Sequence, residues 1–475
     1  MIARGQSGYE LSAAAGRIAS RYLCAAWIAL LLTGPPELHS AALKAAVANA
    51  DITPPAGLPM YGFFDRIKDN RVASGTLDPL YARVLVLEVA EQRLALVTLD
   101  LGRTFKESTL ADLRQRVKES DGISYLIVTA SHSHSGPNIL DEYSNDHPPA
   151  WETAAVEKIA AAISTASRNL AQARIGTGRG NVYIGYNRRQ MHADGKVTML
   201  WTNPDKQPTA PLDPSVWVLR IDDIEGKPLA ILVNYACHPV VLGSDNLNYS
   251  ADFVATMTST VEKAFDSRPL CFFLQGADGD INPYYATTTL ADGALEKRER
   301  TGEQLGKEAV RIATAIRTEA PSYPAIDFAD DVMRFHLRWN PQKFRAGLLS
   351  SFGPRVFEDH ADLLVHDPPP DVLELHVTTL LLNKRIAVLG MPGEPFVNFQ
   401  IDWRDRCPVQ DAVVLGYANG YFDYFPTIEA AAEGGYGGAD SNTYVELGAG
   451  ERMLRQGLVR VYEFLGKLMD TPEIH

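Results

Sequence analysis

The chain has 475 residues, 46% of them hydrophobic and 22% charged, enough apolar material for a large buried core and too much for a disordered polymer. A net charge of -13 and a pI near 5.4 leave no basic stripe able to neutralise a run of phosphates, so nucleic acid is excluded as an expected partner.

At the N-terminus Arg4, Arg17 and Arg21 precede the apolar run Leu23 to Leu32, Gly34, Pro35 and Pro36 break it, and small residues surround Ser40 to Ala42. This is the pattern of an export signal over residues 1–41, and the run is too short to span a bilayer. The expectation is a secreted or periplasmic mature chain, residues 42–475, forming a single domain with no transmembrane segment. Cys24 would leave with the signal. Cys237, Cys271 and Cys407 then remain, an odd set that does not describe a disulfide framework.

In chain order, apolar runs predict strands at Tyr81 to Val89, Arg93 to Leu99, Tyr125 to Thr129, Val216 to Ile221, Leu229 to Tyr235, Leu270 to Leu274, Leu373 to Leu382, Ile386 to Leu389 and Ala412 to Leu415. Helical periodicity fits Lys106 to Lys118, Thr153 to Leu170, Phe253 to Phe265, Leu295 to Ile316 and Glu451 to Leu468. The alternation predicts a layered α/β fold with mixed β-sheets flanked by helices. Arg338 to Pro370, rich in Pro, Gly and Asp, reads as a long surface excursion.

Five of these strands run directly into polar, chemically capable residues: SYLIVTASHSHSGPN, LAILVNYACHPVV, LCFFLQGADGDINP, IAVLGMPGEP and VVLGYANGYFDY. In open α/β sheets, sites gather beyond the carboxyl ends of strands, so these turns are expected to converge. His132 and His134, two apart in extended chain, share a face and can serve one cavity as two ligands or as a ligand and a catalytic group. Each residue also has a plain alternative. His238 before Pro239 can satisfy a backbone carbonyl, and Glu394 can cap the segment Pro395 to Arg406. Asp252 can cap a helix at Phe253 or stand behind His238. Asp278 and Asp280 read as a solvated acidic turn that can orient water or bind a cation. Arg188 beside Arg189 reads as a surface pair.

TASHSHSGPN, GYNRR, CHPVV, GDINP, PGEP, and NGYFDYFPT followed by GGYGGAD occur in the order of the motifs of the neutral, non-lysosomal ceramidase family, from Val47 to Leu468, and the chain resembles that family's catalytic part. The resemblance implies Zn2+ held by His132, His238, Glu394 and Tyr424, with His134, Arg188 and Tyr436 around the scissile group. Zinc accepts imidazole and carboxylate, while a phenol is an unusual ligand. Arg188 and Tyr436 would donate to a developing oxyanion, and His134 would shuttle a proton.

Two departures stand out. The family carries a serine in its GD-x-SP motif, where this chain reads Gly279-Asp280-Ile281-Asn282-Pro283. Asn282 offers no hydroxyl nucleophile, but its amide can position a substrate or complete an oxyanion hole. A metal-activated water is therefore the expected nucleophile. No β-rich segment like the family's C-terminal domain follows the last predicted helix.

The leading expectation is a zinc-dependent hydrolase acting on the amide or ester bond of an N-acyl lipid or a more polar small molecule. A second reading is a zinc-dependent carbohydrate-active enzyme, hydrolase or β-elimination lyase, with His134 and Tyr436 as base and acid. In that reading Trp201, Tyr284, Tyr285 and Tyr421 would contact a glycan. A third is a zinc-binding protein without catalysis. Oligomeric state is not legible.

Overall fold

The computed structural model describes residues 42–69, 71–140, 147–346, 350 and 372–469. The expected export signal, Cys24 and most of the expected excursion from Arg338 to Pro370 lie outside them.

Strands β1 (Lys44–Asp51), β2 (Tyr81–Val89), β3 (Gln92–Leu99), β4 (Tyr125–Ala130), β5 (Ala171–Asn181), β6 (Ser215–Asp223), β7 (Pro228–Tyr235) and β8 (Leu270–Gln275) form one sheet in the order β8-β7-β6-β5-β1-β2-β3-β4. Strands β9 (Ile326–His336), β10 (Val372–Leu382), β11 (Ile386–Gly390) and β12 (Asp411–Leu415) form a second, in chain order. Three neighbouring pairs are parallel, β3 with β4, β7 with β8, and β11 with β12. The other neighbours run antiparallel. The strands of the parallel pairs are apolar on both faces because both faces are covered, and β4, β8, β11 and β12 are buried at nearly every position.

Helices supply the cover. Helices α1 (Glu107–Asp121) and α2 (Ala150–Arg168) pack together, and α2 lies on β1 and β2. Leu110, Leu113 and Val117 form the buried stripe of α1 at helical spacing. Helices α3 (Phe253–Ala264) and α4 (Ala294–Ala315) pair over the other end of the first sheet, while α5 (Val397–Arg406) and α6 (Ala449–Phe464) cover the second. The mixed sheets and their helical layers agree with the sequence expectation. Among the described residues no helix is long and apolar enough to cross a membrane.

Strands β1, β5 and β9 escaped the sequence reading. In β5, Gly176 and Gly178 replace the expected apolar residues, since a Cβ there would lie 2.6 Å from the Arg317 carbonyl and 2.8 Å from the Ile312 side chain on α4. β9 carries Asp327, Asp330 and Asp331 along an edge, and its charges masked its pattern.

The three parallel pairs meet at their carboxyl ends. Gln275 ends β8 and donates from Nε2 to the Ser131 carbonyl beyond β4 (2.8 Å) and the Cys237 carbonyl beyond β7 (3.0 Å). Asn419, beyond β12, accepts from the Val128 amide on β4 (3.0 Å) and donates to Thr378 on β10 (3.0 Å). Its φ of 56° suits asparagine, which tolerates the left-handed region better than alanine. Asn419→Ala should therefore cost about 2–4 kcal/mol, from buried hydrogen bonds lost and a less tolerant backbone position, measured by denaturant unfolding.

Candidate metal centre and active site

The loops after β4, β7 and β11 bring His132, His238 and Glu394 together, all buried. His132 Nδ1 lies 2.7 Å from the Gly102 carbonyl, so that nitrogen carries the proton and Nε2 presents a lone pair. His238 Nδ1 likewise donates to the carbonyls of Asp278 (2.7 Å) and Ile281 (3.1 Å), leaving Nε2 bare. These two bare nitrogens face the carboxylate of Glu394, His132 Nε2 at 3.4 Å from Oε1 and His238 Nε2 at 3.2 Å from Oε2. His134 Nε2 approaches His132 Nε2 to 3.1 Å.

The bare Nε2 atoms of His132 and His238 and the Glu394 carboxylate are thus acceptors facing one another. Burial pushes the His132 imidazole down to about 4, against the pull of Glu394, and drives His134 well below its ordinary value, helped by the neighbouring imidazoles. Both imidazoles therefore rest uncharged near neutral pH. Burial alone would raise the Glu394 carboxyl; positive charge on the His132 and His238 side, with the Tyr421 hydroxyl bond, outweighs it and holds the group below the usual carboxylate range. A cation resolves the conflict. Ligand atoms about 2.1 Å from a tetrahedral zinc stand roughly 3.4 Å from one another, close to the separations seen. Candidate ligand atoms of His132, His134 and His238 all lie within 4.8 Å of each other, so the residues present fit a metal ion.

His132 has φ 69°, a left-handed conformation costing roughly 1 kcal/mol or more, which turns its imidazole toward Glu394. Gly62 passes so close to His134 that a Cβ there would overlap the imidazole. The fully buried Arg66 spends its guanidinium on five backbone carbonyls, those of Tyr61 (3.0 Å), His134 (2.5 Å), Gly243 (3.1 Å), Ser244 (3.1 Å) and Asn246 (2.6 Å). It thereby ties the loop holding His134 to the loop that follows His238.

A second group adjoins the first. Tyr424 pairs with Glu394 in a short parallel bridge, and its phenol is hydrogen-bonded to Arg188. Arg188 donates to Asn282 Oδ1 (3.2 Å) and the Gly279 carbonyl (2.7 Å), while its Nε is buried without a partner. The guanidinium carbon lies 5.2 Å from the Tyr436 ring centre, 5.4 Å from that of Tyr424 and 5.9 Å from that of Trp201. Tyr436 meets Tyr424 and Trp201 edge-on at 5.4 and 5.3 Å. Asn282 Nδ2 donates to the Trp201 carbonyl at 3.3 Å. The eight residues singled out thus fall into an imidazole-carboxylate group and an Arg188 group, joined through the Glu394–Tyr424 bridge.

Several plain alternatives fail. Arg188 and Arg189 are buried, not a surface pair. The acidic turn is buried as well, because its charges are used internally. Asp280 accepts from Asn187 Nδ2 (2.7 Å) and from the Val397 amide (2.9 Å), so Asp280, and not Glu394, caps α5. Asp278 accepts from the Tyr417 hydroxyl at 2.9 Å, and burial, with the Glu394 charge adding, pushes its carboxyl up to about 7. Asp252 accepts from the Phe253 amide (2.6 Å) at the start of α3 and from the Leu242 amide (2.9 Å), bracing the loop after His238. Cys237, Cys271 and Cys407 are buried free thiols.

Sequence reasoning passed over Tyr61, Arg66, Gln275 and Tyr417. The signal available for Tyr417 was its place in the same strand-end run as Tyr421 and Tyr424; Arg66 lies in a segment without apolar periodicity and gave none.

Among solved structures, the fold matches a neutral ceramidase from Pseudomonas aeruginosa at 19% identity and a TM-score of 0.70, over 91% of this chain and 76% of that one. It also matches a ceramidase complexed with C2, at 19% identity and a TM-score of 0.71, over 91% of this chain and 77% of that one. At that identity the likeness establishes the shared fold. The family model for the N-terminal part of neutral/alkaline non-lysosomal ceramidase matches residues 44–298, and with more than half of its sequence so matched the chain belongs to the neutral/alkaline non-lysosomal ceramidase family.

Proposed function

We propose that the protein is an exported, secreted or periplasmic, zinc-dependent hydrolase of the neutral ceramidase type that cleaves an amide (N-acyl) or ester bond. The observation that carries this reading is the facing of two proton-free imidazole nitrogens, on His132 and His238, with the Glu394 carboxylate, all three side chains being buried. His132, His238 and Glu394 would hold the metal, with the Tyr424 phenol as a further, weaker ligand. Zinc bound there supplies a Lewis acid that polarises a carbonyl and makes hydroxide available at a pKa near ~7.

The chain's own residues do the rest. His134 Nδ1 has no hydrogen-bond partner and is placed to take a proton and pass it to the leaving group. Arg188 keeps its Nε–H free and, with the Tyr436 hydroxyl, forms a donor pair for charge that develops on the carbonyl oxygen. Asn282 orients this pair by accepting from Arg188 Nη1. A lipid substrate is supported by family membership and by the related ceramidase's complex with C2. A glycan reading, in which His134 and Tyr436 act as base and acid, has one observation in its favour. Trp201 is 47% exposed while its ring packs edge-to-face with Tyr436, a platform on which a sugar ring can stack.

Purified protein should hold about one zinc per chain, and His132→Ala and His238→Ala should each lose it, read by elemental analysis. His134→Ala should keep zinc yet release fatty acid from a fluorescent N-acylsphingosine at least ~100-fold more slowly; loss of zinc in that variant would make His134 a ligand instead. On an acidic oligosaccharide, growth of the ultraviolet absorbance of a new double bond would favour the glycan reading. Asn282→Ser should lower N-acylsphingosine turnover, because a shorter side chain with one oxygen in place of a separate amide oxygen and nitrogen loses the reach to hold Arg188 and the Trp201 carbonyl together. A gain of turnover would mean that a serine hydroxyl carries the chemistry.

A further inference from the structure

The Glu394 carboxylate is gripped by a chain of hydroxyls. Tyr421 donates to Oε1 at 2.7 Å, and Tyr61 donates to the Tyr421 hydroxyl at 2.9 Å. The direction of both bonds is fixed from the far end, because an ionised carboxylate only accepts. With its proton in the 2.7 Å bond to Glu394, the Tyr421 oxygen receives the proton of Tyr61 and also meets the Asp423 carboxyl. The Tyr421 ring is held on both sides. It stacks on Tyr417 at 6.1 Å and 12°, Tyr417 stacks on His132 at 4.3 Å and 20°, and the Arg103 guanidinium lies 4.8 Å from the Tyr421 ring centre. The oxygen that Tyr421 grips is the one facing His132 Nε2 at 3.4 Å.

We propose that Tyr421 is a positioning residue for the metal, its hydroxyl held by Tyr61 so that the Glu394 carboxylate stands in one orientation before His132 and His238. This rests on the metal reading above. Free rotation of the carboxylate would otherwise oppose binding, and partners that orient a ligand typically change metal affinity about 10–100-fold. Removing the Tyr421 hydroxyl while keeping its ring leaves the stack in place and frees Oε1. Removing the Tyr61 hydroxyl leaves Tyr421 bonded to Glu394 but unanchored.

The test uses the full chain and the metals alone. Zinc dissociation constants, measured by competition with a chromophoric chelator, and visible spectra of the cobalt(II)-loaded protein are compared for wild type, Tyr421→Phe, Tyr61→Phe and a surface control, the exposed Tyr323→Phe. Tyr421→Phe should weaken zinc about 10–100-fold and shift the cobalt bands; Tyr61→Phe should move both in the same direction by less, and the control by nothing. Wild-type affinity and an unaltered spectrum in Tyr421→Phe would overturn the proposal while leaving the metal reading intact. Failure of the wild type to bind zinc or cobalt would sink both. Should Tyr421→Phe not fold, Tyr61→Phe decides, and wild-type affinity and spectrum there overturn the proposal.

Discussion

Two imidazole lone pairs and a carboxylate pointing at one another inside a protein repel, and the rest of the molecule is arranged around that conflict. His132 and His238 each commit the Nδ1 proton to a backbone carbonyl, so neither has a second proton to offer Glu394 without becoming charged. In a buried setting, charging an imidazole is opposed by desolvation. The arrangement is therefore poor as a hydrogen-bond network and good as a cradle for a divalent cation, which makes the backbone carbonyls of Gly102 and Asp278 as much part of the site as the side chains.

Holding such a cluster requires a scaffold that does not relax. The three parallel strand pairs end together, and their ends are cross-tied by Gln275 and Asn419. Residues with positive φ gather at the same place, among them His132, Tyr417, Asn419 and Asp423, and such strain persists only where surrounding structure over-determines it. Arg66 adds a different tie. A guanidinium with no carboxylate partner is costly to bury, and burial lowers it to about 10, yet all five of its hydrogen bonds go to loop carbonyls that only a planar fork can reach together.

In the group around Arg188, Asn282 places its carbonyl on Arg188 and its amide on the Trp201 backbone, so one side chain couples the guanidinium to the loop carrying an exposed indole. The cation, three aromatic rings and the amide form one wall, and it meets the imidazole cluster through the Glu394–Tyr424 bridge.

The sequence alone determined the parts governed by local pattern. Strands and helices with uninterrupted apolar periodicity, such as Tyr81–Val89 and Phe253–Ala264, lie where that pattern placed them. The five polar turns at strand ends were also visible, because a site needs reactive residues on loops that a rigid sheet aims. Only the tertiary structure decided how those residues are used. Whether Asp280 is solvated or caps a helix, whether Arg188 is exposed, and which nitrogen of His132 carries the proton all depend on partners remote in the chain, Asp280 with Val397 and Arg188 with Asn282 among them. The strands that escaped notice did so for the same reason: the glycines of Ala171–Asn181 answer to a helix more than a hundred residues away, and no local periodicity records a contact of that kind.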